Sequence, residues 1–293
     1  PEMPELPEVE ITRRRIAPLL VGRRIAEVHT TAPSYFFITP PELLCSGLRG
    51  NILLGLDRRG KYLIAETEDG RRLLLHLGMT GQLFSSRASS LRLLSATARA
   101  ALSPEAQVEF APDRHTHLRF EFEDEGPEVY FRDVRKFGKV MLLAPGERNP
   151  RLDRLGEDAL VVTGGKLFAA TRKRKTAIKA LLLDQSVLAG VGNIYADEAL
   201  FHAGVRPGRR ASAMTRRECD AIAREIRRVL LRSIETGGSS ISDYVAPDGS
   251  DGKYQDERRV YARTGEPCYA CRSTIRRKLV AQRGTHYCPR CQT

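Results

Sequence analysis

The C-terminal tail restricts the folding options of this chain more than any other segment. Cys268-x-x-Cys271 is followed, after sixteen intervening residues, by Cys288-x-x-Cys291. Two close cysteine pairs on hairpin-like turns can place four thiolates tetrahedrally around one Zn²⁺, and in so short a tail the metal stands in for an apolar core. Four sulfur ligands leave no open coordination position, so the expected zinc is structural. A redox dithiol is the other chemistry that such pairs support. Cys45 and Cys219 have no partner in sequence and are expected to be plain buried residues. The tail is also basic, with Arg272, Arg276, Arg277, Lys278, Arg283 and Arg290 inside it.

That charge belongs to a larger asymmetry. Residues 1–165 carry 23 basic and 23 acidic side chains, whereas residues 166–293 carry 25 and 13, so the whole formal charge of +12 lies in the second part. A neutral part joined to a basic one points to an acidic polymer or a membrane surface as partner. Zinc with one-sided charge favours nucleic acid. The 293 residues suggest about two domains at roughly 150 residues each. With 41% hydrophobic and 29% charged residues, the disordered, collagen and coiled-coil classes are excluded. No apolar run approaches the roughly 18 residues that span a bilayer. The opening Pro1-Glu2-Met3-Pro4-Glu5 lacks the basic-then-apolar order of a signal peptide. The expectation is a cytoplasmic protein with no membrane partner, in a reducing compartment where clustered cysteines bind metal.

Along the chain, residues 8–21 read as a helix: Glu8 and Glu10 suit its positive end, Val9, Ile16, Leu19 and Leu20 form a stripe, and Gly22 stops it. From Arg24 to Leu143 the pattern is that of strands. Leu53–Thr67 and Arg71–Leu77 flank the turn Glu68-Asp69-Gly70, and Leu118, Phe120 and Phe122 alternate with Arg119, Glu121 and Glu123 before Val129–Arg132. Half-buried antiparallel strands account for this. The stretch Ser85–Pro104 reads as a surface insertion without chemistry. Strands end near Leu155–Gly165, and helical periodicity follows in Thr176–Leu183, Ile194–His202 and Arg216–Ile234. A Gly/Ser/Asp-rich loop, Gly237–Gly252, precedes the tail. Gly190-Val191-Gly192-Asn193 opens a helix whose first amides can hold a phosphate. A dinucleotide fold is disfavoured there, because no strand precedes the motif. Arg172-Lys173-Arg174-Lys175 and Lys179 can add phosphate contacts or form a solvated face.

Pro4-Glu5-Leu6-Pro7-Glu8-Val9-Glu10 resembles the opening of the formamidopyrimidine-DNA glycosylases, bacterial base-excision repair enzymes. The resemblance continues in order through Gly60-Lys61-Tyr62, His76-Leu77-Gly78-Met79, Asp133–Gly138, Lys175–Lys179, Gly190–Tyr195 and the finger with Gln282-Arg283, covering nearly the whole chain. It implies an α+β multidomain chain. An N-terminal antiparallel β-sandwich with a leading helix would occupy residues 1–155, a helix-two-turn-helix domain 166–240, and a four-cysteine zinc finger 258–293, with DNA in the cleft between.

The resemblance also implies residue roles. The family uses an N-terminal proline as nucleophile, a secondary amine that leaves an iminium on the sugar. By the motif this is Pro4, with Glu5 in proton transfer. Because the chain begins with a second Pro-Glu pair, Pro1 and Glu2 are the alternative. Lys61 matches a lysine of the β-elimination step. Arg283 matches the finger arginine linked to δ-elimination, for which phosphate clamping suits a permanently charged guanidinium better than proton donation. Met79, Arg135 and Phe137 match the residues that fill the gap left by a flipped nucleotide. Val134 and Lys136 stand where the family has proline and arginine. His115, Lys175 and Asn193 match DNA-contacting positions, and Ser242–Tyr254 matches a mobile segment over the extruded base.

The expected function is removal of oxidised purines, 8-oxoguanine and formamidopyrimidines, from double-stranded DNA by a monomer, then β,δ-elimination at the abasic site. One structural Zn²⁺ is the only cofactor expected. The alternatives are an endonuclease VIII-like enzyme for oxidised pyrimidines and a non-catalytic DNA-binding zinc protein.

Overall fold

The computed structural model describes residues 3–88, 103, 110–172, 174–240, 244 and 246–293. Pro1, Glu2, Lys173 and most of the Ser85–Pro104 stretch lie outside the described residues. The chain divides into two compact units, Pro1–Asn149 with Gly237–Lys253, and Pro150–Thr236 with Tyr254–Thr293. The Gly/Ser-rich loop therefore belongs with the first unit, and the cysteine-rich tail shares the second with the helices.

The first unit opens with helix α1 (Leu6–Leu20), which begins two residues before the start expected from sequence. The reason is local. Glu5 and Glu8 form a capping box, the Glu5 amide donating to Glu8 Oε2 at 3.0 Å, and Pro7 occupies the first turn, where no amide is needed. Leu6, Val9, Ile16 and Leu20 are buried along one side. Strand β1 (Ile25–Thr30) and helix α2 (Pro41–Leu48) follow; sequence reasoning did not find α2. Cys45, on α2, is partly exposed, a correction to its expected burial, while Cys219 is buried.

The strands are β2 (Leu53–Arg59), β3 (Tyr62–Thr67), β4 (Arg72–His76), β5 (Gly81–Ser85), β6 (Thr116–Phe122), β7 (Val129–Asp133) and β8 (Lys139–Leu143). The expected single run from Leu53 to Thr67 is two strands, because Gly60 at φ 57° lets the chain reverse with Arg59 opposite Tyr62. Two four-stranded antiparallel sheets result, ordered β1-β6-β7-β5 and β2-β3-β4-β8. Ile25, Val28, Leu83, Leu118, Phe120 and Phe131 from one sheet share a core with Leu53, Leu56, Leu63, Leu73, Leu75 and Val140 from the other. This is a β-sandwich with a helix leading into it.

The second unit contains α3 (Pro150–Asp153), β9 (Glu157–Asp158), α4 (Gly164–Thr171), α5 (Ile178–Leu183), β10 (Leu188–Ala189), α6 (Asn193–His202) and α7 (Arg216–Glu235). Thr215 and Glu218 form a capping box that starts α7, whose apolar stripe from Cys219 to Ile234 packs on α4 and α6. Strands β11 (Arg276–Val280) and β12 (Arg283–Tyr287) close the chain as a hairpin. Its turn residues, Ala281 and Gln282, both have positive φ, as the central pair of a type I′ hairpin turn requires. Among the described residues, no helix is long and apolar enough to cross a membrane.

Candidate active site

At the start of α1, Pro4 is buried and Glu5 is 2% exposed. Met3 precedes Pro4, so in this chain the Pro4 nitrogen is an amide. The helix start is held by Glu8, whose Oε1 accepts the Ser239 amide at 2.9 Å. Tyr244, 5% exposed, packs with Ile11 and Ala246 and donates its hydroxyl to the Glu8 carbonyl at 3.1 Å. Of the segment expected to be mobile, residues 242, 243 and 245 lie outside the described residues. One turn further, Glu10 accepts from Arg13 at 2.8 Å, Arg14 at 2.7 Å and Arg58 at 3.1 Å. Burial raises the pKa of Glu10, but the hydrogen bonds of Arg13 and Arg14 outweigh it and hold the carboxyl at about 2. Arg58 also donates to the Gly60 carbonyl at 3.1 Å. Lys61 follows Gly60 in this turn and is 8% exposed. A ladder from Glu10 through Arg58 therefore joins the helix to the turn that bears Lys61.

Met79 lies on one of two adjoining loops, and Arg135 and Phe137 lie on the other. A Cβ on Gly78 would fall 2.4 Å from both the Gly138 nitrogen and the Phe137 carbonyl carbon, so the loops meet backbone to backbone. Asp133, fully buried, organises the second loop: its carboxylate accepts the Arg135 amide at 3.2 Å, the Gly138 amide at 2.7 Å and the Thr80 hydroxyl. Lys136 takes a left-handed φ of 57°. Held this way, Val134 and Phe137 stand exposed, and the Arg135 guanidinium lies 4.6 Å from the centre of the Phe137 ring. An exposed, backbone-braced cation and aromatic ring can enter a base stack. His115 is partly exposed beside Asp113, and burial lowers its pKa, so the imidazole tends to be neutral near pH 7.

In the second unit, Lys175 is exposed and α6 begins at Asn193. Asn193 Nδ2 donates to the Gly284 carbonyl at 3.1 Å, which brings this residue beside Arg283, exposed at the hairpin turn. Lys179 departs from expectation. It is fully buried, paired with Asp197 at 2.7 Å, and donates to Gly284 O and Thr285 Oγ1 at 3.1 and 2.9 Å. A lysine so enclosed cannot reach a phosphate, and it fastens the β11–β12 hairpin instead. Asp197 also accepts the His286 amide at 2.8 Å. Its neighbour Glu198 accepts the amides of Arg259, Val260 and Tyr261 at 2.8, 2.9 and 2.8 Å. Burial nonetheless pushes Glu198 up to about 7.

The four cysteine sulfurs, Cys268, Cys271, Cys288 and Cys291, lie within 4.8 Å of one another. Cys268 and Cys291 are 3.9 Å apart, and Cys271 and Cys288 3.4 Å. A ZnS₄ tetrahedron with bonds of about 2.3 Å has edges of about 3.8 Å, so the sulfurs fit one Zn²⁺. The hydroxyl and amide of Ser273 lower Cys271 to about 6, whereas burial and then the neighbouring thiols push Cys291 up. Four adjacent thiolates repel one another, and a divalent cation removes that cost. Beneath them, the apolar cluster is small, with Val260 and Ile275 beside the cysteines.

Three domain families match the chain in order. The formamidopyrimidine-DNA glycosylase N-terminal domain matches residues 3–140, the formamidopyrimidine-DNA glycosylase H2TH domain 155–245, and the zinc finger found in FPG and IleRS 265–293. The formamidopyrimidine-DNA glycosylase of Thiobacillus denitrificans is 42% identical over 292 residues, covering 99% of this chain and all of the relative. That of Symbiobacterium thermophilum is 42% identical over 295 residues, covering 99% and 89%. The chain belongs to the formamidopyrimidine-DNA glycosylase family. Among solved structures, the MutM (Fpg) protein from Thermus thermophilus has a TM-score of 0.82 at 39% identity, covering 99% of this chain and 98% of that one. The Lactococcus lactis Fpg in complex with DNA containing an abasic site has a TM-score of 0.84 at 35% identity, covering 99% of each chain.

For a formamidopyrimidine-DNA glycosylase, the residues that carry its motifs were recognisable, but those that brace them were not. In sequence Glu8 stands as a helix-dipole residue and a member of the quoted opening motif, and Asp133 only as part of a quoted motif. Asp197 and Glu198 lay in the helix after Asn193, where two adjacent acids in an apolar pattern were the available signal for burial.

Proposed function

We propose that this chain excises oxidised purines, including 8-oxoguanine and formamidopyrimidines, from duplex DNA and then cleaves the abasic site by β,δ-elimination. The observation that carries this reading is the exposed Arg135–Phe137 pair on a loop whose backbone meets that of Gly78, next to Met79, in a chain similar over 99% of its length to enzymes solved with lesion or abasic DNA. One such structure is MutM in complex with DNA containing carbocyclic 8-oxo-G.

The roles follow from chemistry. With the residues ahead of it absent, Pro4 is a secondary amine whose pKa, about 8 for an α-amino group, leaves a usable neutral fraction near neutrality. It attacks the sugar C1′, the C1′–N bond breaks, and the base departs with the bonding electrons and a proton. The nitrogen of the resulting adduct then expels O4′, the C1′–O4′ bond breaks, O4′ takes a proton, and the open-chain product is an iminium, which needs no further deprotonation. Glu5, buried beside the amine, transfers protons during base loss and sugar opening. Loss of a C2′ proton then expels the 3′ oxygen, with Lys61 as proton donor, and a second elimination releases the 5′ oxygen while Arg283 clamps its phosphate. Met79, Arg135 and Phe137 fill the vacated stack, and Arg135 faces the orphaned base. His115, Lys175 and Asn193 hold phosphates. The zinc, held by Cys268, Cys271, Cys288 and Cys291, keeps the finger folded and takes no part in the reaction. We infer a cytoplasmic location, since the relatives that the chain matches are bacterial and a bacterial enzyme meets duplex DNA in that compartment.

The test is borohydride trapping on duplex DNA with 8-oxoguanine opposite cytosine, with peptide mapping of the adduct, for chains beginning at Pro4 and at Pro1. A cross-link at Pro4 in the shorter chain is expected, and a cross-link at Pro1 in the longer one would move the nucleophile to Pro1. Tight duplex binding without any cross-link would sink the enzymatic reading. Preference for an oxidised pyrimidine would move the chain to the endonuclease VIII-like class.

A further inference from the structure

Tyr35 is an exposed aromatic residue, 60% accessible, that stands beside the loop bearing Arg135 and Phe137. Its hydroxyl donates to the Arg135 carbonyl at 2.9 Å. The ammonium of Lys139 lies 5.0 Å from the centre of its ring and also donates to the Gly138 carbonyl at 3.0 Å. Tyr35 thus touches the loop from its solvent side, whereas Asp133 holds it from beneath.

The backbone beside Tyr35 is anchored in the sandwich. Phe36 is fully buried, with ring centres 5.0 Å from Phe131 and 4.9 Å from His117. The Phe36 carbonyl accepts the Val140 amide at 3.0 Å, and the Val140 carbonyl accepts the Ile38 amide at 2.9 Å. Tyr35 is therefore bolted to the first residues of β8, directly after the loop that its hydroxyl reaches. A side chain fixed at its base and bonded at its tip is a brace.

What it braces is the least favourable part of the loop. The Asp133 carboxylate fixes the amides of Arg135 and Gly138, but the peptide between Arg135 and Lys136 has a weaker hold, a long bond from the Lys136 amide to the Asp133 carbonyl at 3.4 Å. That peptide leads into Lys136 at φ 57°, a left-handed conformation that a residue with a side chain adopts at a cost. Turning the Arg135 carbonyl away would let Lys136 leave that region and would loosen the link between Arg135 and Phe137. The Tyr35 hydroxyl opposes that turn.

We propose that Tyr35 is a positioning residue that, through the Arg135 carbonyl, holds the guanidinium in the orientation that reads the base opposite the lesion. This rests on the reading of Arg135 as the residue facing the orphaned base. The hydroxyl therefore contributes to discrimination between opposite bases without touching DNA chemistry itself.

The test measures single-turnover excision of 8-oxoguanine opposite cytosine and opposite adenine, and takes the ratio, for the wild type, Tyr35→Phe, Arg135→Ala and the double variant. Tyr35→Phe removes only the oxygen, and the melting temperature is recorded for each chain. A net hydrogen-bond contribution corresponds to about a 2- to 10-fold change, so Tyr35→Phe is expected to lower the ratio by that factor. In the Arg135→Ala background the same change should do nothing further, since the group it positions is gone. A wild-type ratio in Tyr35→Phe, with the ratio lost in Arg135→Ala, overturns the proposal and leaves the Arg135 reading intact. An equal further loss in the double variant also overturns it, because Tyr35 would then act on its own. If Arg135→Ala keeps the wild-type ratio, the Arg135 reading fails and the proposal with it.

Discussion

Arg135 and Arg283 both stand on exposed turns, yet what lies beneath the two turns differs. The Arg135 loop rests on a sandwich core in which two sheets share a continuous apolar layer, and one buried carboxylate, Asp133, gathers its amides. The Arg283 hairpin has the small cluster around Val260 and Ile275, four thiolates and the enclosed Lys179–Asp197 pair. Burial of apolar area gives stability that is spread over many residues, so losing one side chain is a local event. A metal site and a buried ion pair concentrate it in a few atoms. The two arginines should therefore fail in different ways when their supports are removed.

The largest effect should come from the metal. Binding free energy at a structural zinc site is folding free energy, about 10–16 kcal/mol in isolated fingers. Chelation, or Cys288→Ser, should lower duplex affinity by more than about 100-fold and expose the tail to protease, while the sandwich stays resistant. Unchanged binding after verified zinc loss would break the contrast at its strongest point.

The ion pair comes next. Lys179→Met leaves Asp197 buried without its counter-charge, which costs about 3–5 kcal/mol, measured by denaturant unfolding. The double variant Lys179→Met with Asp197→Leu should recover most of that loss, since replacing both charges removes the desolvation penalty. Equal stability of the single and double variants would show that Asp197 is satisfied by His286 alone.

How much of this could be read beforehand depended on whether the signal was local. The cysteine pairs, the Gly60 turn and the alternation of Leu118, Phe120 and Phe122 are short-range patterns, and the pairs and the alternation each became the element expected. The Gly60 reversal was there to be read in the polar run Asp57-Arg58-Arg59-Gly60-Lys61, but the Glu68-Asp69-Gly70 turn drew the strand boundary instead. The start of α1 was missed by two residues because the capping box uses Glu5, a residue read for its chemistry. Lys179 shows the limit. A lysine four residues after Lys175 looks like more of the same basic face, and only the fold shows that one is turned outward and the other enclosed. Tyr35 was equally silent, because nothing in sequence links it to a carbonyl 100 residues away.

Within the first unit, the buried charge at Glu10 allows a milder test. Its folded pKa, about 2, lies below the ordinary 4.5. The carboxylate therefore stabilises the fold above about pH 4.5, and that contribution drains away as pH falls toward 2. After allowance for solvent screening it should be about 1–2 kcal/mol. Glu10→Gln should lower the urea midpoint at pH 7 and have little effect near pH 2.5. A midpoint difference that is the same at both pH values would mean that Arg13, Arg14 and Arg58 stabilise α1 by packing, not by charge.

The smallest effects separate two residues expected to hold phosphate in the basic unit. Lys175 is exposed and charged, so Lys175→Ala should weaken duplex binding modestly and reduce the slope of log affinity against log salt by about 0.9, one released counterion. Asn193 carries no charge and donates to the Gly284 carbonyl beside Arg283. Asn193→Ala should therefore weaken binding at every salt concentration while leaving the slope unchanged, as expected for a group that orients the hairpin and donates one neutral hydrogen bond. A reduced slope for Asn193→Ala would mean that Arg283 has lost its phosphate along with the Asn193 contact, which would make the hairpin turn as dependent on one side-chain amide as the Arg135 loop is on Asp133.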